Sequence, residues 1–97
     1  MELARVAGSV VATVKEPRLT GAKLLLVELV GADGTSRDGP PFVAFDLVGA
    51  GEGEVVIVTR GSPAARAVDV EGSPIDAAIV GIVDGIRADG RSTFDKD

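Results

Sequence analysis

Seven uncharged residues, 77–83, stand between Asp76 and Asp84. The run is shorter than a typical helix and carries Ile79, Val80, Ile82 and Val83, whose β-branched side chains favour strands. Gly81 in its middle marks a bulge, a bend or a close backbone approach. A strand is predicted over residues 78–83. Its two faces would be Ala78, Val80, Ile82 and Ile79, Gly81, Val83. Both are apolar, so both need cover. A single domain of 97 residues has only a modest core. Cover on both sides of this strand therefore points to a second subunit.

Composition narrows what kind of domain this is. Hydrophobic residues make up 45% of the chain and aromatics only 3%, so the core is aliphatic. There is no cysteine, which excludes disulfides and thiolate metal sites. A net charge of −5 argues against contact with a phosphate backbone, so no nucleic-acid partner is expected. The start Met1-Glu2-Leu3-Ala4-Arg5 lacks the residue order of a signal peptide. No apolar run approaches the roughly 18 residues of a membrane helix. A cytoplasmic location and no membrane partner are expected.

Four more strands are predicted ahead of that run. Residues 3–15 alternate, with Ala4, Val6, Gly8, Val10, Ala12 and Val14 on one face and a bend at Gly8-Ser9. A loop follows, from Glu16-Pro17 to Gly21. Residues 22–30 form the second strand, with Leu24, Leu26, Val30 opposite Leu25, Val27, Leu29. Residues 31–41 are rich in Asp, Gly and Pro and predict a loop with a mobile tip. Residues 42–48, anchored by Phe45, and 55–59 are the third and fourth strands. Ser62 as N-cap and Pro63 at the first helical position start a helix of two turns ending near Val68-Asp69. Residues 70–73 lead as a loop into strand five, which Ile86 would extend. Residues 87–97 are polar and without period, a flexible tail from which Phe94 would dock on a neighbour. The fold class is mainly β: a five-stranded OB-like Greek-key β-barrel with one short helix between strands four and five. The barrel domain is residues 1–86.

The residues that commonly carry chemistry are scarce. Gly49, Gly51 and Gly53 suggest a phosphate loop, but a strand follows them where a helix is required. They read instead as a tight turn, or as a loop approaching another backbone at a symmetry axis. The chain has no His, Cys, Tyr or Trp. Asp46, Asp76 and Asp84 fall near strand ends, as turn or cap acceptors do. No catalytic, cofactor or metal residue is assigned. Arg5, Lys15, Lys23, Arg60 and Arg66 read as solvated or paired surface charges. The alternative is an OB-like binding module for a small ligand or single-stranded nucleic acid, but three Phe make a poor stacking platform. The apolar excess is the stronger signal. Strands one, two and five have more apolar surface than one barrel interior takes, so an obligate homo-oligomer is expected.

Four passages in order carry a resemblance. They are Arg5-Val6-Ala7-Gly8-Ser9-Val10-Val11-Ala12-Thr13, Gly21-Ala22-Lys23-Leu24-Leu25-Leu26-Val27, the stretch Ala44-Phe45-Asp46-Leu47-Val48-Gly49-Ala50-Gly51-Glu52-Gly53-Glu54-Val55-Val56, and Pro74-Ile75-Asp76-Ala77-Ala78-Ile79-Val80-Gly81-Ile82-Val83-Asp84. Gly61-Ser62 before the alanine-rich helix matches too. Together they resemble the pentameric vertex proteins of bacterial microcompartments, the carboxysome and ethanolamine-utilisation vertex family. The resemblance implies a homopentamer without enzymatic activity or cofactor, capping the vertices of a polyhedral shell and meeting hexameric shell proteins at its edges. Gly49, Ala50 and Gly51 are expected near the five-fold axis. Ile79, Gly81 and Val83 are expected at a subunit interface or the five-fold axis, with Gly81 allowing close packing against a barrel strand or a neighbour.

Overall fold

In the computed structural model, residues 1–13, 15, 21–67 and 75–96 are described. Five strands close into a barrel in the order β1-β2-β3-β5-β4: β1 Glu2–Val10, β2 Leu24–Leu29, β3 Phe42–Asp46, β4 Val55–Arg60 and β5 Ala77–Ile82. A short helix, α1 Ser62–Ala67, separates β4 from β5. All barrel pairings are antiparallel except β3 with β5. The OB-like barrel and the helix position expected from the sequence are both present.

The buried interior is aliphatic, with Phe42 packed at its edge. Ala4, Val6, Leu25, Val27, Ala44, Ala50, Val56, Val58, Ala77 and Ile79 form one buried cluster. Each buried valine or isoleucine contributes on the order of 1.5–3 kcal/mol relative to exposure. Two smaller clusters lie elsewhere. One groups Val30, Val55 and Val83 with Leu3, Ile57, Ile86 and Phe94. The other sets Ala64 of the helix against Ile75, Ala78, Phe45 and Val80.

Two register shifts decide which residues reach the interior. On β1 the pairing passes from Val6–Val27 to Gly8–Leu26, leaving Ala7 unpaired and exposed. The bend expected at Gly8-Ser9 therefore falls one residue earlier. On β5 the pairing passes from Ile79–Val58 to Gly81–Ile57, so Val80 is the extra residue. Strict alternation placed Ile82 with Ala78 and Val80. The bulge turns Ile82 towards the barrel core and Val83 to the second cluster.

Several predicted boundaries move. The first strand stops at Val10 because Val10 pairs with Leu24, where β2 begins. The expected strand residues 11–13 have no ladder, and Val14 lies outside the described residues. The second strand is trimmed to Leu24–Leu29, with Val30 reduced to a single bridge to Arg37. Leu47 and Val48 leave the third strand because Asp46 turns the chain. The helix starts at Ser62 itself, and Gly61 accepts the Ala64 N–H at 3.0 Å. The predicted end at Val68-Asp69, the loop at 70–73 and the loop at 16–20 lie outside the described residues.

The largest departure is at the C-terminal end. The expectation was a polar tail without regular structure after Ile86. Instead β6 Gly85–Ala88 and β7 Arg91–Asp95 form a hairpin, so Ile86 does not extend β5 and the expected border at residue 86 falls inside β6. The turn is Asp89-Gly90, with φ of 54° and 77°. Two positive φ values in a two-residue loop match the twist of the flanking strands. Phe94 docks on its own chain, in the cluster with Leu3 and Ile57. The loop after β2 is likewise built rather than loose. Asp33 Oδ1 accepts the N–H groups of Thr35 and Ser36 at 2.9 and 2.8 Å, and the Gly31 N–H donates to Ser36 O at 2.9 Å.

Candidate functional site

The glycine loop after β3 is held by one buried carboxylate. Asp46 ends β3 with its side chain 1% exposed. Its two oxygens accept the Val48 N–H at 3.1 Å and the Ala50 N–H at 3.0 Å. Lys23, just before β2, brings its ammonium to 3.1 Å from Asp46 Oδ2 and donates to Ala50 O at 3.0 Å. Burial alone would raise the Asp46 pKa. The Val48 N–H, the Lys23 ammonium and the Ala50 N–H outweigh it and hold the carboxyl below its ordinary value. Asp46 is a turn acceptor, as its place near a strand end suggested.

The rest of the loop is fixed from the other side. The Gly51 N–H donates to Glu54 Oε1 at 2.8 Å. The Gly53 N–H donates to Val6 O at 2.8 Å, and the Val6 N–H donates to Glu54 O at 2.9 Å. These two bonds fold the loop's end onto β1 beside its bulge. Gly49 and Gly53 have φ of 77° and 84°, where a side chain is strained. Lys96 closes a salt bridge of 2.7 Å with Glu54, tying the residue after β7 to the loop. The Lys96 hydrogen bond and that of the Gly51 N–H lower the Glu54 pKa, and the bond to Glu54 raises that of Lys96.

Arg5 joins the two glycine loops. Its Nε and Nη2 donate to Gly34 O at 3.0 and 2.8 Å, and its Nη1 donates to Gly53 O at 2.6 Å. From the sequence alone it reads as a solvated or paired surface charge. Nothing in the spacing of Arg5, Gly34 and Gly53 announces that three distant segments meet. Arg60 is a paired charge, as expected, with Glu2 at 2.6 and 3.0 Å and the Phe42 ring 4.6 Å below its guanidinium.

The residues expected at an interface or axis fall into two groups. Gly49 and Gly51 are exposed on the loop, with Gly53 beside them. Ala50 is 1% and Ile79 0% exposed, both inside the barrel core, so neither has surface to offer a partner. The Asp46 turn draws Ala50 inward, and the parity of β5 aims Ile79 at the interior. Val83 is buried beside Val55 and Val30. Gly81 faces Ile57, whose Cδ1 would lie 3.5 Å from an added Cβ, an ordinary contact distance. Its close neighbour is thus a strand of its own barrel.

Apolar surface remains outside the barrel in two places. On the outer face around β2, Gly8, Leu26 and Val43 form one cross-strand row and Val10, Leu24 and Phe45 the next. Val43 is 43% exposed. Around β4, Leu3 and Ile57 line an apolar dimple of 220 Å³ with Met1 and Glu2. Among the described residues no group of three or more potential metal ligands occurs.

Comparison with known proteins follows the same lines. The family model described as ethanolamine utilisation protein EutN/carboxysome matches residues 1–84. The chain is 45% identical over 96 residues to the bacterial microcompartment shell vertex protein EutN of Salmonella typhimurium, covering 99% of this chain and 96% of that one. A solved structure of an ethanolamine utilization protein, EutN, superposes with a TM-score of 0.90 at 42% identity, covering all of both chains. The GrpN pentameric microcompartment shell protein from Rhodospirillum rubrum superposes with a TM-score of 0.79 at 46% identity, over 91% of this chain and 99% of that one.

Proposed function

The chain belongs to the ethanolamine utilisation EutN/carboxysome family, and from that premise we propose that it is a structural shell component of a bacterial microcompartment, a homopentamer that caps the vertices of the shell. It is not an enzyme, and it works in the shell of a compartment that lies in the cytoplasm. The observation that carries the reading is identity of 45% to a shell vertex protein along essentially the whole chain. The geometry supports it from a separate direction. Apolar rows stand outside a barrel whose interior is already filled, which is what a subunit made to be covered by its neighbours looks like.

Two finer points belong to the same proposal. The pentamer's edges meet hexameric shell proteins, since a vertex is closed only against the tiles around it. Gly49 and Gly51 lie near the five-fold axis, where exposed glycines let five copies of one loop approach. Native mass spectrometry tests the assembly. A mass five times 9.8 kDa is expected for the protein, and Gly51→Leu is expected to weaken it. A stable single subunit that binds labelled single strands would overturn the proposal in favour of an OB-like binding module. Co-production with hexameric shell proteins tests the edge contact: closed polyhedra are expected, and shells that form equally well with open vertices would reject it.

A further inference from the structure

We infer that the β6–β7 hairpin is a catch on the glycine loop: residues 51–54 keep their shape only while Phe94 and Lys96 are seated, so the hairpin and that half of the loop loosen together. Two separate routes carry the coupling. The first is polar. Glu54 is held on both oxygens, Oε1 by the Gly51 N–H at 2.8 Å and Oε2 by the Lys96 ammonium at 2.7 Å. Lys96 is delivered there by the root of the hairpin, where its own N–H donates to Asp84 O at 3.0 Å and the Val83 N–H donates to Val55 O at 2.8 Å. The second route runs through Arg5. Phe94 lies so close over Gly34 that a Cβ added there would sit 2.5 Å from the ring. Gly34 O accepts Nε and Nη2 of Arg5, whose Nη1 donates to Gly53 O. One route thus ends at Gly51 and the other at Gly53.

An exposed ion pair by itself holds little. Here both partners are placed before they meet. Lys96 follows Phe94 by two residues, and Phe94 packs with Leu3, Ile57 and Ile86 around Val55, the residue directly after Glu54. The apolar cluster therefore fixes the two chain segments from which Lys96 and Glu54 reach one another, and little freedom is lost when the pair forms. The first half of the loop is anchored elsewhere. Val48 and Ala50 donate to Asp46, which Lys23 braces, and both of these side chains belong to the barrel. Coupling between two sites is reciprocal. A partner that lifts the hairpin frees residues 51–54, and one that clamps residues 51–54 steadies the hairpin. This concerns a single chain and holds whatever number of copies assembles.

Amide exchange of the full chain, read residue by residue by NMR, tests the catch in both directions. Lys96→Met is expected to speed exchange at the Gly51, Gly53 and Val6 N–H groups several-fold, with Ala50 and the β2–β3 ladder unchanged, and Lys96→Arg to keep most of the protection. Phe94→Leu, which leaves Lys96 and Glu54 in place, is expected to speed Gly51 and Gly53 as well. In the reverse direction, Glu54→Gln is expected to speed exchange in β7. Asp84→Asn removes only the longer 3.7 Å contact of Lys96 and is expected to leave the loop as in wild type. The Lys96 variants change a half-exposed side chain, so they decide the matter even where Phe94→Leu fails to fold. Wild-type exchange at Gly51 and Gly53 in Lys96→Met, or in a Phe94→Leu whose hairpin is loosened, would make the hairpin a separate unit and overturn the coupling. A rise spread equally over Ala50 and the β2–β3 ladder would overturn it too, since general loss of stability does that. Asp84→Asn as loosening as Lys96→Met would trace the effect to the hairpin root and overturn the route through Glu54.

Discussion

Two glycine-bearing loops leave this barrel, and an aspartate turns each of them. After β2, Asp33 accepts the N–H groups two and three residues on, at Thr35 and Ser36. After β3, Asp46 accepts those two and four residues on, at Val48 and Ala50. The motif is nearly the same, but the surroundings are not. Asp33 stands in solvent and accepts a further bond from the Ser36 hydroxyl. Asp46 is enclosed, with Lys23 across it and Ala50 drawn into the core behind it. Water replaces the bonds of the first at little cost. Water cannot replace all of those of the second, because the Ala50 N–H it satisfies is buried. One loop is shaped by its carboxylate, and the other depends on it.

The comparison breaks most sharply at Asp46. Asp46→Ala strands the buried Ala50 N–H and removes the bonds to the Val48 N–H and the half-exposed Lys23 ammonium, and is expected to cost about 1–3 kcal/mol in urea unfolding. A loss near zero would remove the distinction between the loops. Next comes a pair of glycines. Gly34 has φ of 73°, and an added Cβ would sit 2.5 Å from Phe94 Cδ1. Gly49 has φ of 77° with nothing within 4 Å. The left-handed backbone alone costs a non-glycine residue roughly 1–2 kcal/mol. Gly49→Ala is expected to show only that, and Gly34→Ala to exceed it and free the hairpin, read as faster amide exchange in β6 and β7.

Acid sharpens the contrast further. A carboxyl held below its ordinary value binds its proton less readily in the folded chain than in the unfolded one. The stabilisation from Asp46 is therefore complete above the usual aspartate value of about 4 and is lost as pH falls through the lower folded value. Asp33, Glu2 and Glu54 are lowered as well, the first by its Ser36 and Thr35 bonds. The difference between wild type and Asp46→Asn across pH 6 to 3 isolates the buried group. A gap in urea midpoint that stays constant over that range would reject its role. The smallest effect belongs to Asp33→Ala, for which a midpoint shift well below that of Asp46→Ala is expected; an equal shift would make the two loops alike.

What could be read from the residues follows from how local the signal is. Five strands, the helix after Gly61 and the surplus of apolar strand surface are all written in short-range pattern. The register shifts at Ala7 and Val80 are not, because an extra residue is recognised only against the partner strand. They account for the misplacement of Ile82 and Val83. The hairpin at the end is only half legible: Asp89-Gly90 is a strong turn signal, but the flanking residues are too polar to advertise strands on their own. Their strand character comes from Ile86 and Phe94 docking beside Leu3. The bridging role of Arg5 was not legible at all, since its partners are backbone carbonyls 29 and 48 residues away.

Because β4 returns to pair with β1, each of the five barrel strands has a neighbour on both sides. That matters for a protein concentrated in a shell beside many copies of itself. An open sheet in such crowding would template runaway strand addition and fibre growth. Here the unclosed strands are β6 and β7, which are four and five residues long and carry Arg87, Arg91 and Asp95. Short, charged borders resist adhesion of that kind, so copies meet through side chains of fixed shape and the assembly stops at a definite number.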